Sequence, residues 1–158
     1  MRILGLDLGA KRIGLAISDP KTGIALPSGI LESHGRAKDL SALCELIAAR
    51  EVKRAVVGLP IHMNGSLGPE AQKAKEFASA LSDASGIPVD TLDERWTSQE
   101  AMRLGDLADA GRDSHLRAGK GRAKQRSRRR KPGARIDDLA ATLILRTYLE
   151  RRRNRGEA

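Results

Sequence analysis

The chain has 158 residues, 40% of them hydrophobic, which suits one domain with its own core. No run of about 18 apolar residues occurs, which argues against a membrane-spanning helix. Cys44 is the single cysteine, which excludes an internal disulfide or a cysteine-rich zinc site and suits the cytosol. Net charge is +9 and unevenly placed. Residues 112–135 hold eleven Lys/Arg against Asp113 (+10), and residues 146–158 hold five Arg against two Glu (+3), leaving −4 for the rest. A mildly acidic body with one basic loop and a basic tail from about 151 suits a phosphate-backbone partner, because neutralised phosphates release counterions.

In chain order, Arg2–Leu8 is predicted as a buried strand, because its apolar run is broken only at Asp7 and does not fit a signal peptide. A turn at Gly9-Ala10-Lys11 leads to a second strand over Ile13–Ser18, forming a hairpin. A third strand over Ile24–Leu31 contains Pro27, which places it near a sheet edge. Lys38–Arg50 has helical spacing, with Cys44 on a core stripe beside Leu40, Leu43 and Ile47. Arg54–Leu59 is a buried strand, Pro69–Ala84 a helix, and Ile87–Leu92 a fifth strand closed by Asp93-Glu94-Arg95. Thr97 or Ser98 caps a helix to about Ala110, and after the basic loop a last helix covers Ile136–Arg152. This order, a hairpin and third strand followed by alternating strands and helices, predicts an α/β domain on a mixed sheet.

The carboxylates are the candidate chemistry. An unpaired charge in the strand ILGLDLG costs several kcal/mol, so Asp7 is expected to be paired or to bind metal. The alternative partners are Lys11 and Arg12 at the strand end. Asp93 and Glu94 stand at the C-terminal end of a strand, where open α/β sheets place their sites. Alternation puts them on opposite faces, so one of the two shares a face with Asp7, and periodicity leaves open which. Asp137 and Asp138 open the last helix, where the helix dipole also favours acids. Two strand-end carboxylates and one helix-start carboxylate can converge on two Mg²⁺ or Mn²⁺ ions, the arrangement that supports phosphodiester hydrolysis.

The segments LGLDLGAKRIGLAISD, VVGLPIHMNGSLG, LDERWTSQEA and RIDDLAATLILRTYL occur in that order. Together they resemble the YqgF family, also called RuvX, of pre-16S rRNA nucleases related to Holliday junction resolvases. The resemblance implies a ribonuclease H-like fold: one domain over residues 1–158, with a five-stranded mixed sheet flanked by helices. It places the catalytic and metal-binding carboxylates at Asp7, Glu94 (with Asp93 the other possibility) and Asp137. It also implies trimming of the 5′ end of precursor 16S rRNA in the cytoplasm.

The expected partners are structured RNA (precursor rRNA) or branched DNA, and no membrane, with the protein a monomer or homodimer. Candidate nucleic-acid contacts are Lys11, Arg12 and Arg95, with Lys120, Arg122, Lys124, Arg126, Arg128, Arg129, Arg130, Lys131 and Arg135 from the basic region. The loop is longer and more basic than the family pattern, His62 replaces a common Asn, and Trp96 replaces a common Leu. Phe77, Trp96 and Tyr148 are the only aromatics, too few for a base-stacking platform. Three rival readings remain. A Holliday junction resolvase is weakened by Ala140, three after Asp137, where classical resolvases carry a second acid. A non-catalytic nucleic-acid-binding factor is weakened by the retained acids. An actin-like or sugar-kinase nucleotide binder, suggested by DLGAKRIG, needs a second domain to clamp its nucleotide.

Overall fold

The structure is a computed structural model that describes residues 1–62, 64–95 and 134–157, with side chains from 139 onward in the last segment. The expected helix at 97–110, Trp96 and the basic candidates from Lys120 to Lys131 therefore lie outside the described residues.

Five strands form one sheet in the order β3-β2-β1-β4-β5. They are β1 (Arg2–Leu8), β2 (Arg12–Ser18), β3 (Ala25–Glu32), β4 (Val52–Leu59) and β5 (Val89–Asp93). β1–β2 and β2–β3 pair antiparallel, whereas β1–β4 and β4–β5 pair parallel, so the sheet is mixed as expected. β3 is an edge strand, and its register slips beside Pro27, which cannot donate to a ladder. β5 starts two residues later than its apolar run suggests, after Pro88, whose carbonyl still accepts from Ala55 N (3.0 Å).

Alternation sorts the strands into two cores. Leu4, Leu6, Ala55, Val57 and Leu59 pack with α1 (Arg36–Ala49) and α2 (Pro69–Ser85), through Leu43, Ile47, Ala74, Phe77 and Leu81. Cys44 lies half-buried against this core. Ile3, Ala16, Val56 and Leu92 face the other way and pack under α3 (Ala134–Asn154), through Ala141, Ile144, Leu145 and Tyr148. Burying these two sets removes most of the sheet's apolar surface from water, the main favourable term in folding.

Small residues set how closely α3 approaches. A Cβ on Gly5 would lie 2.7 Å from Leu145 Cβ and 3.0 Å from the Ala141 carbonyl, so the helix crosses the central strand at its one side-chain-free position. α3 starts two residues earlier and ends two later than its apolar period predicts. The basic run from 151 therefore begins inside a helix. Tyr148 Oη donates to Asp90 Oδ2, which also accepts from Arg54 NH1 (2.8 Å), tying α3 to β5 and β4. Among the described residues, no helix is long and apolar enough to cross a membrane.

Candidate active site

β1, β4 and β5 run parallel, so their C-terminal ends meet at one edge of the sheet, and the candidate acids collect there. Asp7 is the penultimate residue of β1 and half-buried. Glu94 follows β5 directly, where its backbone N–H donates to the Leu59 carbonyl (3.1 Å) and continues the ladder by one bond.

Register decides between Asp93 and Glu94. Leu92 sits opposite Gly58 and belongs to the core under α3, together with Ile3 and Val56. Glu94, two residues on, shares that face with Ile3, Gly5 and Asp7. Its carboxylate lies over Gly58 of the intervening strand: a Cβ there would collide with Glu94 Oε1 and with Ile144 Cδ1. Gly58 thus leaves the space through which Glu94 leans towards β1. Asp93 points elsewhere and is occupied by Arg95, which donates to it from its backbone N (3.0 Å), from Nε (2.9 Å to Oδ2) and from NH2 (2.6 Å). Arg95, a candidate nucleic-acid contact, is therefore engaged by its neighbour.

The electrostatics differ accordingly. Burial first, then the charges of Asp7 and Asp93, push the Glu94 carboxyl up to about 7. The hydrogen bond from Arg95 holds Asp93 below the usual carboxylate range. A raised carboxyl beside a second carboxylate is the signature of a site that wants a cation.

Both acids open onto a cleft of about 560 Å³ that continues between the β1–β2 turn and α2. Its charged lining is Asp7, Asp39, Glu70, Glu76 and Glu94 against Arg36 and Lys73. Five acids and two bases repel a phosphate unless cations intervene. The donor set is hard carboxylate oxygen, which fits Mg²⁺ or Mn²⁺ and not a soft metal.

Periodicity missed Asp39. It is 5% exposed and accepts from Ser33 Oγ (2.5 Å) and the His34 backbone N (2.9 Å), fixing the approach to α1 on the cleft wall. Acids in a first helical turn are common, so only its burial and its two hydrogen bonds distinguish this one.

Lys11, in the turn after β1, and Arg12, the first residue of β2, are exposed. His62 is exposed, and its ring lies against Gly68, where a Cβ would meet Nε2 at 2.6 Å. Asp137 stands in the first turn of α3, and Arg135 beside it, but both side chains lie outside the described residues. The third acid is thus placed by its backbone only.

Comparisons with known proteins bear on the family and the fold. The sequence pattern of the RuvX family, described as Holliday junction resolvase, matches residues 1–151. A protein of Syntrophomonas wolfei named "Putative pre-16S rRNA nuclease" is 45% identical over 150 residues, covering 95% of this chain and 94% of that protein. A protein of the same name from Desulforudis audaxviator is 40% identical over 154 residues, covering 98% and 97%. Among solved structures, T. thermophilus RuvC in complex with a Holliday junction substrate superposes with a TM-score of 0.58, covering 95% of each chain at 14% identity. At that identity the match shows the fold alone, a ribonuclease H-like one. With the family pattern spanning nearly the whole chain and relatives of 40–45% identity along its length, the protein belongs to the RuvX family.

Proposed function

We propose that the protein is a divalent-metal-dependent nuclease that processes the 5′ end of precursor 16S rRNA in the cytoplasm. The observation that carries this reading is the approach of Glu94 over Gly58 towards Asp7, on the sheet face covered by α3. The names of the full-length relatives support the substrate.

Asp7, Glu94 and Asp137 would hold the metal. Asp137 joins them by helical position, since it shares a stripe with Ala141, Ile144 and Tyr148, all buried against the sheet. When bound, divalent ions activate water and neutralise charge on the phosphate. Asp7 comes from the central strand. Glu94 is kept close by Gly58 and by burial, so its orientation is fixed before substrate arrives. Hydrolysis adds a water oxygen to phosphorus and releases one ester oxygen, which takes a proton. Lys11 and Arg12, with the basic residues from Lys120 to Arg135, would bind flanking phosphates and offset the acidity of the cleft.

A cleavage assay with Mg²⁺ or Mn²⁺, offering a precursor rRNA fragment and a four-way DNA junction, tests this reading. Cutting of the RNA is expected. Cutting of the junction alone would replace the substrate assignment with a resolvase one. Binding without cutting would point to a non-catalytic factor.

A further inference from the structure

The Arg-rich end of α3 looks in sequence like a solvated tail, yet it is a built helix terminus. Gly156 takes a left-handed conformation (φ 72°), with Gly156 N donating to the Arg153 carbonyl (3.1 Å) and Glu157 N to that of Arg152 (3.0 Å). Arg152 turns inward. It lies over the Tyr148 ring (5.9 Å to the centroid), donates to the Glu157 carbonyl (2.7 Å) and pairs with the Glu157 carboxylate (3.3 Å).

A helix C-terminus favours one such cation, and Arg152 supplies it. Arg153 and Arg155 remain exposed, with no ion-pair partner among the described residues. Arg153 reaches over the β2–β3 turn, where NH2 would lie 3.8 Å from a Cβ on Gly23 and where Lys21 is exposed. One helical stripe links this end to the middle of α3. Arg146 is seven residues before Arg153 and exposed, held by an exposed i,i+4 pair to Glu150 that a phosphate could displace. The same helix begins at the candidate acid Asp137. From there to Arg153 is sixteen residues, a rise of about 24 Å, or about seven base-pair steps of duplex at 3.4 Å each.

We propose that the outer stripe of α3, Arg146 and Arg153 with Arg155 and Lys21 beside it, is a contact surface for the backbone of a nucleic-acid duplex extending from the carboxylate site to the opposite pole of the sheet. The proposal rests on the nuclease reading, which places a phosphate at the start of α3, and adds a second contact and a length requirement. A substrate must offer about eight base pairs on one side of the cut to engage both ends.

Fluorescence anisotropy with Ca²⁺ in place of Mg²⁺ or Mn²⁺, and with labelled DNA hairpins whose stems are about six and twelve base pairs, reads binding apart from cleavage. For the unmodified protein, the slope of log affinity against log salt should steepen on the longer stem. Arg153→Gln/Arg155→Gln should remove up to about 1.8 from that slope, since each phosphate contact carries about 0.9. Between 50 and 200 mM salt this is about a twelvefold difference in lost affinity. The short stem should be bound alike by both proteins, and Arg153→Lys/Arg155→Lys should restore the slope. An unchanged slope on the long stem would overturn the proposal, as would an equal loss on both stems or failure of the lysine variant to rescue. If the unmodified protein binds neither hairpin, the duplex contact falls, while cutting of the precursor rRNA fragment still decides the nuclease reading. Insensitivity of the variant alone refutes only the second contact.

Discussion

Glu94→Gln tests the electrostatics of the site with no substrate present. The Glu94 carboxyl is raised from 4.5 to about 7, by burial first and the Asp7 charge second. A raised carboxyl in the folded state destabilises the ionised form. The cost is nearly absent below pH 4.5, grows between 4.5 and 7, and is complete above 7. Raising the carboxyl from 4.5 to about 7 corresponds to an upper bound of about 3.4 kcal/mol. The group is half-buried, so solvent screening reduces this to about 2 kcal/mol. Glutamine removes the charge and keeps the shape. In urea denaturation with EDTA, the variant should therefore gain about 2 kcal/mol over the unmodified protein between pH 5 and pH 8. With a slope near 2 kcal/mol per molar urea, the midpoint should move by about 1 M. Millimolar Mg²⁺ at pH 8 should shrink the gap, because a cation beside Asp7 and Glu94 stabilises the ionised pair. A variant-to-parent difference that stays constant with pH would refute the argument that Glu94 is desolvated and repelled by Asp7.

Three other outcomes are expected. Gly58→Ala should cost about 1–3 kcal/mol and lower cleavage about 10²-fold, because a Cβ there occupies the space of Glu94 Oε1 and Ile144 Cδ1. Chemical denaturation and single-turnover rates check the two parts. Asp93→Asn should leave cleavage within about fivefold, since its half-exposed carboxylate serves Arg95 and not the cleft, whereas Glu94→Gln should abolish cleavage in the same assay. Tyr148→Phe should lose about 1 kcal/mol, because Asp90 keeps Arg54 after the hydroxyl is gone, and a melting scan should show a drop of about 3 °C.

Much of this architecture is legible in the sequence. The apolar run of β1 and the apolar period of α2 mark their elements to within a residue, and Pro27 marks the edge strand. Asp7 is legible for the same reason, as a charge inside a run that otherwise excludes charge. The choice between Asp93 and Glu94 is not. Alternation shows that they face opposite ways, but only the pairing of Leu92 with Gly58 under α3 shows which way is which. Gly58 reads as one more residue of a buried strand until a side chain from β5 is found lying over it. Asp39 escapes because its partners Ser33 and His34 precede the helix and carry no periodic signal. The end of α3 lies two residues past Arg152, where its apolar period stops, because the contacts of Arg152 with Tyr148 and Glu157 carry no periodic signal.

The most direct test of the central claim is cleavage of a precursor rRNA fragment by the protein and by Asp7→Asn, with binding measured in parallel. The account predicts metal-dependent cutting by the unmodified protein. It predicts no cutting by the variant, with binding equal or tighter because one negative charge has left the cleft. Normal cutting by Asp7→Asn would contradict the account, since the chemistry would then lie elsewhere than at the acids gathered on the edge of the sheet.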